Sequence, residues 1–173
     1  MYQLDMCIGA GRFGVFFRIK DHPRVGAKIY LVDEFYNNEF IKKELEKARV
    51  IKELGISVPR YVGIADFLVP SDIQEKLGFV RMDSIKKSIV LSWAGKTKKG
   101  LIIEILENDL QSVPIKELRD QYAIEKAKLD QLGIRARETG PTTNVLWSNK
   151  KKRIYLIDFD DWVFPKEMSH SIK

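Results

Sequence analysis

The stretch IGAGRFGVFFRIKDHPRVGAKIY, which runs from Ile8 to Tyr30, decides how the rest of the chain is interpreted. It contains the spacing G-x-G-x-x-G, at Gly9, Gly11 and Gly14. A glycine-rich turn between two strands lets a phosphate approach the backbone N–H groups, because glycine has no Cβ in the way. Lys28, on the run that follows, is placed to reach the same phosphates. A plain hairpin with three turn glycines also fits this stretch, so the rest of the chain must decide.

The same glycine spacing occurs in dinucleotide-binding proteins, but two features argue against that interpretation. A dinucleotide fingerprint requires a helix directly after the glycines and an acidic residue about 20 positions further on. Here the glycines lead into an apolar, strand-like run, and Lys28 stands where the acidic residue is expected. Phe13, inside the glycine spacing, and the hairpin after it favour a lid over phosphates instead.

The length of 173 residues fits one compact domain or two small lobes that share a cleft. No apolar run is long enough for a membrane span, and no signal-peptide pattern precedes the first predicted strand. The single cysteine, Cys7, excludes an internal disulfide, and the two histidines, His22 and His170, argue against zinc. We therefore expect a reduced, cytoplasmic protein that does not enter membranes.

The net charge of +6 favours acidic partners such as nucleotides, nucleic acid or acidic protein surfaces. Much of the excess lies in two basic runs, Lys96–Lys99 and Lys150–Arg153, which the pattern places in loops between strands. Such loops are usually solvated, and contact with nucleic acid is the alternative.

The spacing of apolar residues, glycine and proline predicts a mixed α+β chain. The predicted strands are Tyr2–Ile8, Val15–Ile19, Val25–Tyr30, a strand within 55–69, Ser88–Trp93 and a short apolar element at Leu101–Leu106. The first predicted helix is Asn37–Leu54, capped by Asn37 or Asn38 and ended by Gly55. The second is Ser112–Leu132, with an apolar stripe of Ile115, Leu118, Tyr122, Leu129 and Leu132, and it is expected to carry no chemistry.

Glu44 lies beside the apolar stripe of the first predicted helix. A carboxylate on the buried edge of a helix needs a cation, and Lys28 is the natural candidate. The alternative is that Glu44 lies at the margin of the stripe and points to water. On the third strand Gly26 and Lys28 share a face, so a flat ring can pack against Gly26 while Lys28 reaches its phosphates.

A second informative stretch is a predicted hairpin near the end of the chain. Asn144 directly precedes its first strand, Val145–Trp147, and Asp158 directly follows its second strand, Ile154–Ile157. The hairpin brings an amide oxygen and a carboxylate to the same end, which suits magnesium, an ion bound through few protein ligands. The alternative is that both residues only cap turns.

Taken in order, these features resemble the protein kinase-like fold over nearly all of residues 1–162. The resemblance is strongest to small atypical archaeal kinases, the RIO-type kinases and the small kinase of the tRNA threonylcarbamoyl complex. The segment KELGISVPRYVG is also similar to aminoglycoside-type phosphotransferases. The resemblance implies a bilobal α+β fold. Residues 1–94 would form an antiparallel-sheet N-lobe with one main helix, and residues 95–173 a reduced helical C-lobe.

The resemblance also implies that ATP and Mg²⁺ are the ligands. The implied phosphate-binding residues are Gly9, Gly11, Gly14 and Lys28, with Glu44 paired to Lys28. The hinge that holds adenine would be Leu91–Gly95, including Trp93. Asn144 and Asp158 would hold magnesium, with Asp158 opening an Asp-Phe-Asp motif in place of Asp-Phe-Gly.

The loop that carries the general base departs from the family pattern. Thr139 stands five positions before Asn144, where the family has aspartate, and it cannot act as a base at neutral pH. Counting forward from Gly133 instead places Glu138 at that position, with one extra residue after it. The histidine of the family motif is absent. Glu138 is therefore the candidate base. Phosphoryl transfer relies mainly on positioning and charge neutralisation, so an imperfect base need not abolish activity.

The chain also ends soon after Asp158, without room for the later C-lobe helices. We expect substrate docking to use another surface or a protein partner, and Trp162, Val163 and Phe164 to lie exposed as a contact site. The leading prediction is an ATP-dependent serine/threonine kinase-like phosphotransferase. The alternatives are a pseudokinase that binds nucleotide or a partner without catalysis, and a basic module associated with nucleic acid.

Overall fold

The computed structural model describes residues 1–32, 37–106, 110–137, 139–159 and 162–166. It is an α+β structure, as the sequence predicts. The chain divides into two compact units. Unit 1 comprises Met1–Leu45 and Tyr61–Ile105, and unit 2 comprises Glu46–Arg60 and Leu106–Lys173. Unit 1 thus continues past residue 94, where the sequence analysis placed the boundary between lobes.

Unit 1 is built on five strands. They are β1 (Tyr2–Ala10), β2 (Gly14–Ile19), β3 (His22–Tyr30), β4 (Tyr61–Leu68) and β5 (Thr97–Glu104). The strands follow the order β1-β2-β3-β5-β4, and all pairings but one are antiparallel. A short parallel pairing of β1 with β4 closes the sheet. The three opening strands confirm the prediction, with small extensions at their ends.

The first long helix, α1 (Asn38–Glu53), follows β3. The side-chain oxygen of Asn37 accepts the backbone N–H groups of Glu39 and Phe40, both at 3.1 Å, so the predicted cap is confirmed. Gly55 follows the helix with φ of +80°, a conformation that favours glycine. One face of the sheet packs against the start of this helix, through Tyr30, Ile41, Leu45, Leu101 and Ile103.

The other sheet face encloses the larger core of unit 1, which two short helices complete. These are α2 (Ile73–Lys76) and α3 (Ser84–Leu91). Ile73, Val90 and Trp93 pack there against apolar residues of the strands. Alternation along the strands places successive side chains on opposite faces, which is why one sheet supports two clusters.

The predicted strand Ser88–Trp93 is wrong, because this segment belongs to α3 and the turn after it. The Asp83 carboxylate caps the helix by accepting the backbone N–H of Lys86 at 2.8 Å, and this bond lowers the pKa of Asp83. The strand beside β3 is instead β5, which begins at Thr97. The first basic run therefore lies partly on a strand rather than in a loop.

Unit 2 contains the end of α1, the second long helix α4 (Ile115–Gln131), and the hairpin of β6 (Val145–Ser148) and β7 (Arg153–Leu156). The second predicted helix and the predicted hairpin are confirmed, although Ile115 is exposed rather than part of the stripe. The backbone N–H of Leu156 donates to the carbonyl of Ser57 at 2.8 Å, which ties β7 to the segment after α1. Within the described ranges, no helix is long and apolar enough to cross a membrane.

Candidate functional site

The glycine turn joins β1 to β2 at one edge of the unit 1 sheet. The N–H of Gly11 donates to the carbonyl of Gly14 at 2.9 Å, which closes the turn. A Cβ at Gly14 would lie 2.8 Å from the carbonyl of Ile29, so the fold itself requires this glycine. A Cβ at Gly9 or Gly11 would meet only ordinary contacts, at 3.8 and 3.9 Å. The packing of the chain therefore does not require glycine at these two positions.

Lys28 lies on β3, opposite Phe16 of β2 and Leu101 of β5. Its ammonium is 2.9 Å from Oε1 of Glu44 on α1, and the two side chains are 18% and 2% exposed. The hydroxyl of Tyr61 donates to the same carboxylate oxygen at 3.4 Å. The structure therefore pairs the two residues that the sequence paired. Glu44 is buried, and the alternative in which it points to water is wrong.

The face beside Lys28 differs from the expectation at one point. A ligand ring was expected to pack against Gly26, but the ring of Phe16 lies there. A Cβ at Gly26 would be 2.7 Å from Cζ of Phe16. Glycine at this position is thus explained by the packing of the chain itself.

Trp93 does not lie on a hinge strand. It follows α3 and is 3% exposed in the core of unit 1, with the ammonium of Lys98 5.2 Å from its ring centroid. The strand on which its adenine-binding role depended is absent from residues 88–93. We do not retain Trp93 as a ligand-binding residue.

In unit 2 the hairpin places Asn144 and Asp158 at the same end. The carbonyl of Asn144 accepts the N–H of Ile157 at 3.0 Å, which links the residues that flank the two strands. Asn144 has φ of 53° and Asp158 has φ of 60°. Left-handed backbone is uncommon outside glycine and clusters at functional sites, although Asn and Asp tolerate it best.

These two residues fit a magnesium ion by the chemistry of their donors. Among the residues that the structure describes, no group of three or more His, Cys, Asp and Glu could hold a metal. Mg²⁺ does not need such a group, because it keeps several waters and binds through one or two carboxylates together with substrate phosphates. The amide oxygen of Asn144 and the carboxylate of Asp158 are donors of the kind that this mode uses, together with water and phosphate oxygens.

The predicted base, Glu138, lies outside the described residues. Its neighbour Thr139 is held by α4, since the hydroxyl of Tyr122 donates to the Thr139 carbonyl at 2.8 Å. Burial raises the pKa of Tyr122, which keeps this hydroxyl protonated as a donor. Tyr122 was assigned only to the apolar stripe of α4, yet it also fixes the loop on which the base is predicted.

The described residues after Asp158 differ in how far they are buried. Trp162 is 4% exposed, so its predicted role in an exposed contact site is wrong, whereas Val163 is 43% exposed. Val163 exchanges two backbone hydrogen bonds of 3.0 Å with Arg135. The aromatic rings of Phe159 and Trp162 meet edge to face at 5.7 Å.

Two charged residues of unit 2 have contacts that were not predicted from the sequence. The ammonium of Lys47 donates to the carbonyl of Phe159 at 2.6 Å. The buried carboxylate of Glu125 accepts the N–H and the hydroxyl of Ser57 at 2.8 and 3.0 Å. For Glu125 a signal was present, because it occupies the vacant position in the stripe between Tyr122 and Leu129.

The second basic run forms the turn of the β6–β7 hairpin, as predicted. The ammonium of Lys151 and the guanidinium of Arg153 both lie over the ring of Tyr155, at 5.3 and 5.2 Å. These contacts give the cations a role in the hairpin itself, and none of them favours nucleic acid.

No family model matches the chain, and no curated protein matches it. The interpretation as a kinase-like protein therefore depends on the geometry of its own residues.

Proposed function

We propose that this chain is an ATP- and magnesium-dependent phosphotransferase of the protein kinase-like fold, acting on serine or threonine hydroxyls in the cytoplasm. The observation that carries the proposal is the buried ion pair of Lys28 and Glu44. In protein kinases the phosphate-binding lysine lies on the third strand and pairs with a glutamate of the helix that follows. Here the lysine is on β3 and the glutamate on α1, in the same order.

The residues around Lys28 restrict where its ammonium can lie. Its Cε lies 3.7 Å from the position of a Cβ on Gly14, so the lysine side chain runs beside the glycine turn. Glu44 and the ring of Tyr30, 5.0 Å away, restrict the ammonium on one side. A cation fixed next to an open glycine turn is suited to neutralising phosphate oxygens.

Unit 2 would supply the metal ligands, Asn144 and Asp158. When bound, Mg²⁺ would neutralise charge that develops on the phosphate oxygens. Asp158 contributes a carboxylate and Asn144 an amide oxygen, both from positions fixed by the β6–β7 hairpin. We propose that unit 1 and unit 2 correspond to the N-lobe and the reduced C-lobe of the bilobal fold.

The proposed reaction transfers the γ-phosphoryl group of ATP to a hydroxyl oxygen. A new oxygen–phosphorus bond forms, the bond to the β-phosphate oxygen breaks, and ADP leaves. The hydroxyl proton passes to a base, for which Glu138 remains the candidate from sequence. Most of the rate enhancement in such reactions comes from positioning and charge neutralisation, which Lys28, Asn144 and Asp158 would provide.

The test is transfer of label from γ-labelled Mg-ATP to the chain itself and to a pool of serine and threonine peptides. Lys28→Met and Asp158→Asn should each reduce transfer by about a hundredfold or more, as expected for loss of a charge-stabilising group. Glu44→Gln should reduce it less, because Lys28 keeps its charge and loses its orientation. Lys43→Met, on the exposed face of α1, is the matched control and should transfer normally.

Transfer that survives both Lys28→Met and Asp158→Asn would overturn the assignment. A nucleotide-binding protein without transfer is the second candidate. Thr139 favours it, because it stands five positions before Asn144, where the family has aspartate, and cannot act as a base at neutral pH. Thermal stabilisation by Mg-ATP with no labelled product would support this second candidate.

A further inference from the structure

Asp158 is held in its left-handed conformation by hydrogen bonds on both sides. Before it, the N–H of Ile157 donates to the carbonyl of Asn144 at 3.0 Å. After it, the carbonyl of Phe159 accepts the N–H of Trp162 at 3.2 Å and the ammonium of Lys47 at 2.6 Å. An uncommon backbone conformation persists only where its surroundings determine it, and here the flanking peptide groups are the fixed points.

Among the groups that contact the peptides beside Asp158, the ammonium of Lys47 is contributed by a helix. Lys47 lies on the part of α1 that belongs to unit 2. It is half-buried, and its ammonium also lies 5.2 Å from the ring centroid of Phe164. A lysine held at such a position needs an acceptor, and the structure gives it the carbonyl next to Asp158. Because that carbonyl has two lone pairs, Lys47 and the N–H of Trp162 can bind it together and fix its orientation.

We propose that Lys47 is a positioning residue, which fixes the Phe159 carbonyl and thereby aims the Asp158 carboxylate at magnesium. This inference rests on the proposed function, since it assigns Lys47 to the metal site proposed there. Groups that orient a metal ligand typically change metal affinity about 10- to 100-fold when they are removed. A lysine that only stabilised the fold would change the melting temperature and leave the metal affinity of the folded protein unchanged.

The experiment measures Mn²⁺ binding to the full chain by electron paramagnetic resonance, with Mn²⁺ as the probe and with ATP present and absent. Lys47→Met should weaken binding about tenfold. Lys47→Arg should restore it to within about threefold, because a guanidinium keeps the charge, the donor and the contact with an aromatic ring. Lys43→Met, on the exposed face of the same helix, should bind as the unchanged chain does.

A second measurement follows the turn directly, through hydrogen exchange of the Trp162 amide. The N–H of Trp162 and the ammonium of Lys47 both bind the carbonyl of Phe159, so that loss of Lys47 leaves this carbonyl less firmly oriented. Exchange at the Trp162 amide should therefore accelerate in Lys47→Met and return towards normal in Lys47→Arg. If Lys47→Met does not fold, Lys47→Gln takes its place, because it removes the charge and keeps a donor. Gln should give an affinity between those of Met and Arg.

The outcomes separate the two proposals. If the unchanged chain does not bind Mn²⁺ with ATP present, the proposed function is overturned and the role of Lys47 with it. If the unchanged chain binds Mn²⁺ and folded Lys47→Met binds it equally well, only the inference about Lys47 is overturned. A weaker affinity in Lys47→Met that Lys47→Arg does not restore would also contradict it.

Discussion

Among the residues that the structure describes, each unit buries one glutamate and pairs it with a lysine. In unit 1 Glu44 is 4% exposed and lies 2.9 Å from Lys28, and in unit 2 Glu125 is 5% exposed and lies 2.7 Å from Lys128. The two carboxylates are alike in burial and in distance to the lysine, whereas the lysine side chains are 18% exposed for Lys28 and 36% for Lys128. The pairs also differ in what the carboxylate holds in place.

Glu125 holds the backbone of its own unit. It accepts the N–H and the hydroxyl of Ser57, and its partner Lys128 also donates to the carbonyl of Gly55 at 3.0 Å. All of these partners lie on α4 or on the segment after α1. Glu44 instead holds one cation, Lys28, beside the glycine turn. The comparison teaches that a buried ion pair indicates function only when its cation faces a place where a ligand fits.

The largest effect is expected for Glu125→Ala. This change removes a buried carboxylate that accepts the N–H and the hydroxyl of Ser57 and pairs with Lys128, and the loss of all three interactions together should cost about 3 kcal/mol. Urea unfolding at pH 7 measures the loss. Glu117→Ala, at an exposed position of the same helix, should change the free energy of unfolding by less than about 0.5 kcal/mol. A loss below 1 kcal/mol for Glu125→Ala would mean that water replaces the carboxylate.

A smaller effect on stability is expected for the pair in unit 1. In a double-mutant cycle of Lys28→Met and Glu44→Gln, we expect a coupling energy of about 1 kcal/mol, because the pair is mostly buried but its lysine retains contact with solvent. Titration of Mg-ATP in the same variants tests the other half of the comparison. Nucleotide affinity should fall with Lys28→Met and stay unchanged with Glu117→Ala.

The opposite result would contradict the difference between the two ion pairs. If the Lys28–Glu44 pair couples by 3 kcal/mol or more and nucleotide affinity is the same in all variants, unit 1 uses its glutamate as unit 2 does, for stability alone.

The two glutamates also show what the sequence could and could not predict. Glu44 was found because it lies beside a clear apolar stripe and because the order of a glycine turn, a strand lysine and a helix acid is specific. Glu125 sits on its stripe, but its partner Ser57 is distant along the chain, and no local pattern indicates such a pair. Lys47 was missed for the same reason, since its acceptor is the backbone of Phe159.

The error at residues 88–93 has a different physical cause. The run contains Ile89 and Val90, β-branched residues that are typical of strands, and a short apolar run does not distinguish a strand from a buried helix. The cap at Asp83 and the packing of Val90 in the core favour the helix. The start of β5 among charged residues was not predicted either. Pairing with β3 and β4 determines this strand, and it overrides the local composition.

The smallest effect at neutral pH concerns a third buried titratable group, Cys7. Burial raises the pKa of its thiol from 9.0 to about 11. The hydrogen-bond partner described for Cys7 is the carbonyl of Gly9, at 3.7 Å. At pH 7 the thiol is protonated in both the folded and the unfolded chain, so its ionisation contributes nothing to stability.

As the pH rises above 9.0 the unfolded chain ionises first, and the folded state loses stability until the pH passes about 11. The difference in free energy of unfolding between the unchanged chain and Cys7→Ala should therefore be constant from pH 7 to 8.5 and shift against the unchanged chain at higher pH. A difference that stays constant to pH 10.5 would show that the thiol ionises as readily in the folded state as in the unfolded one.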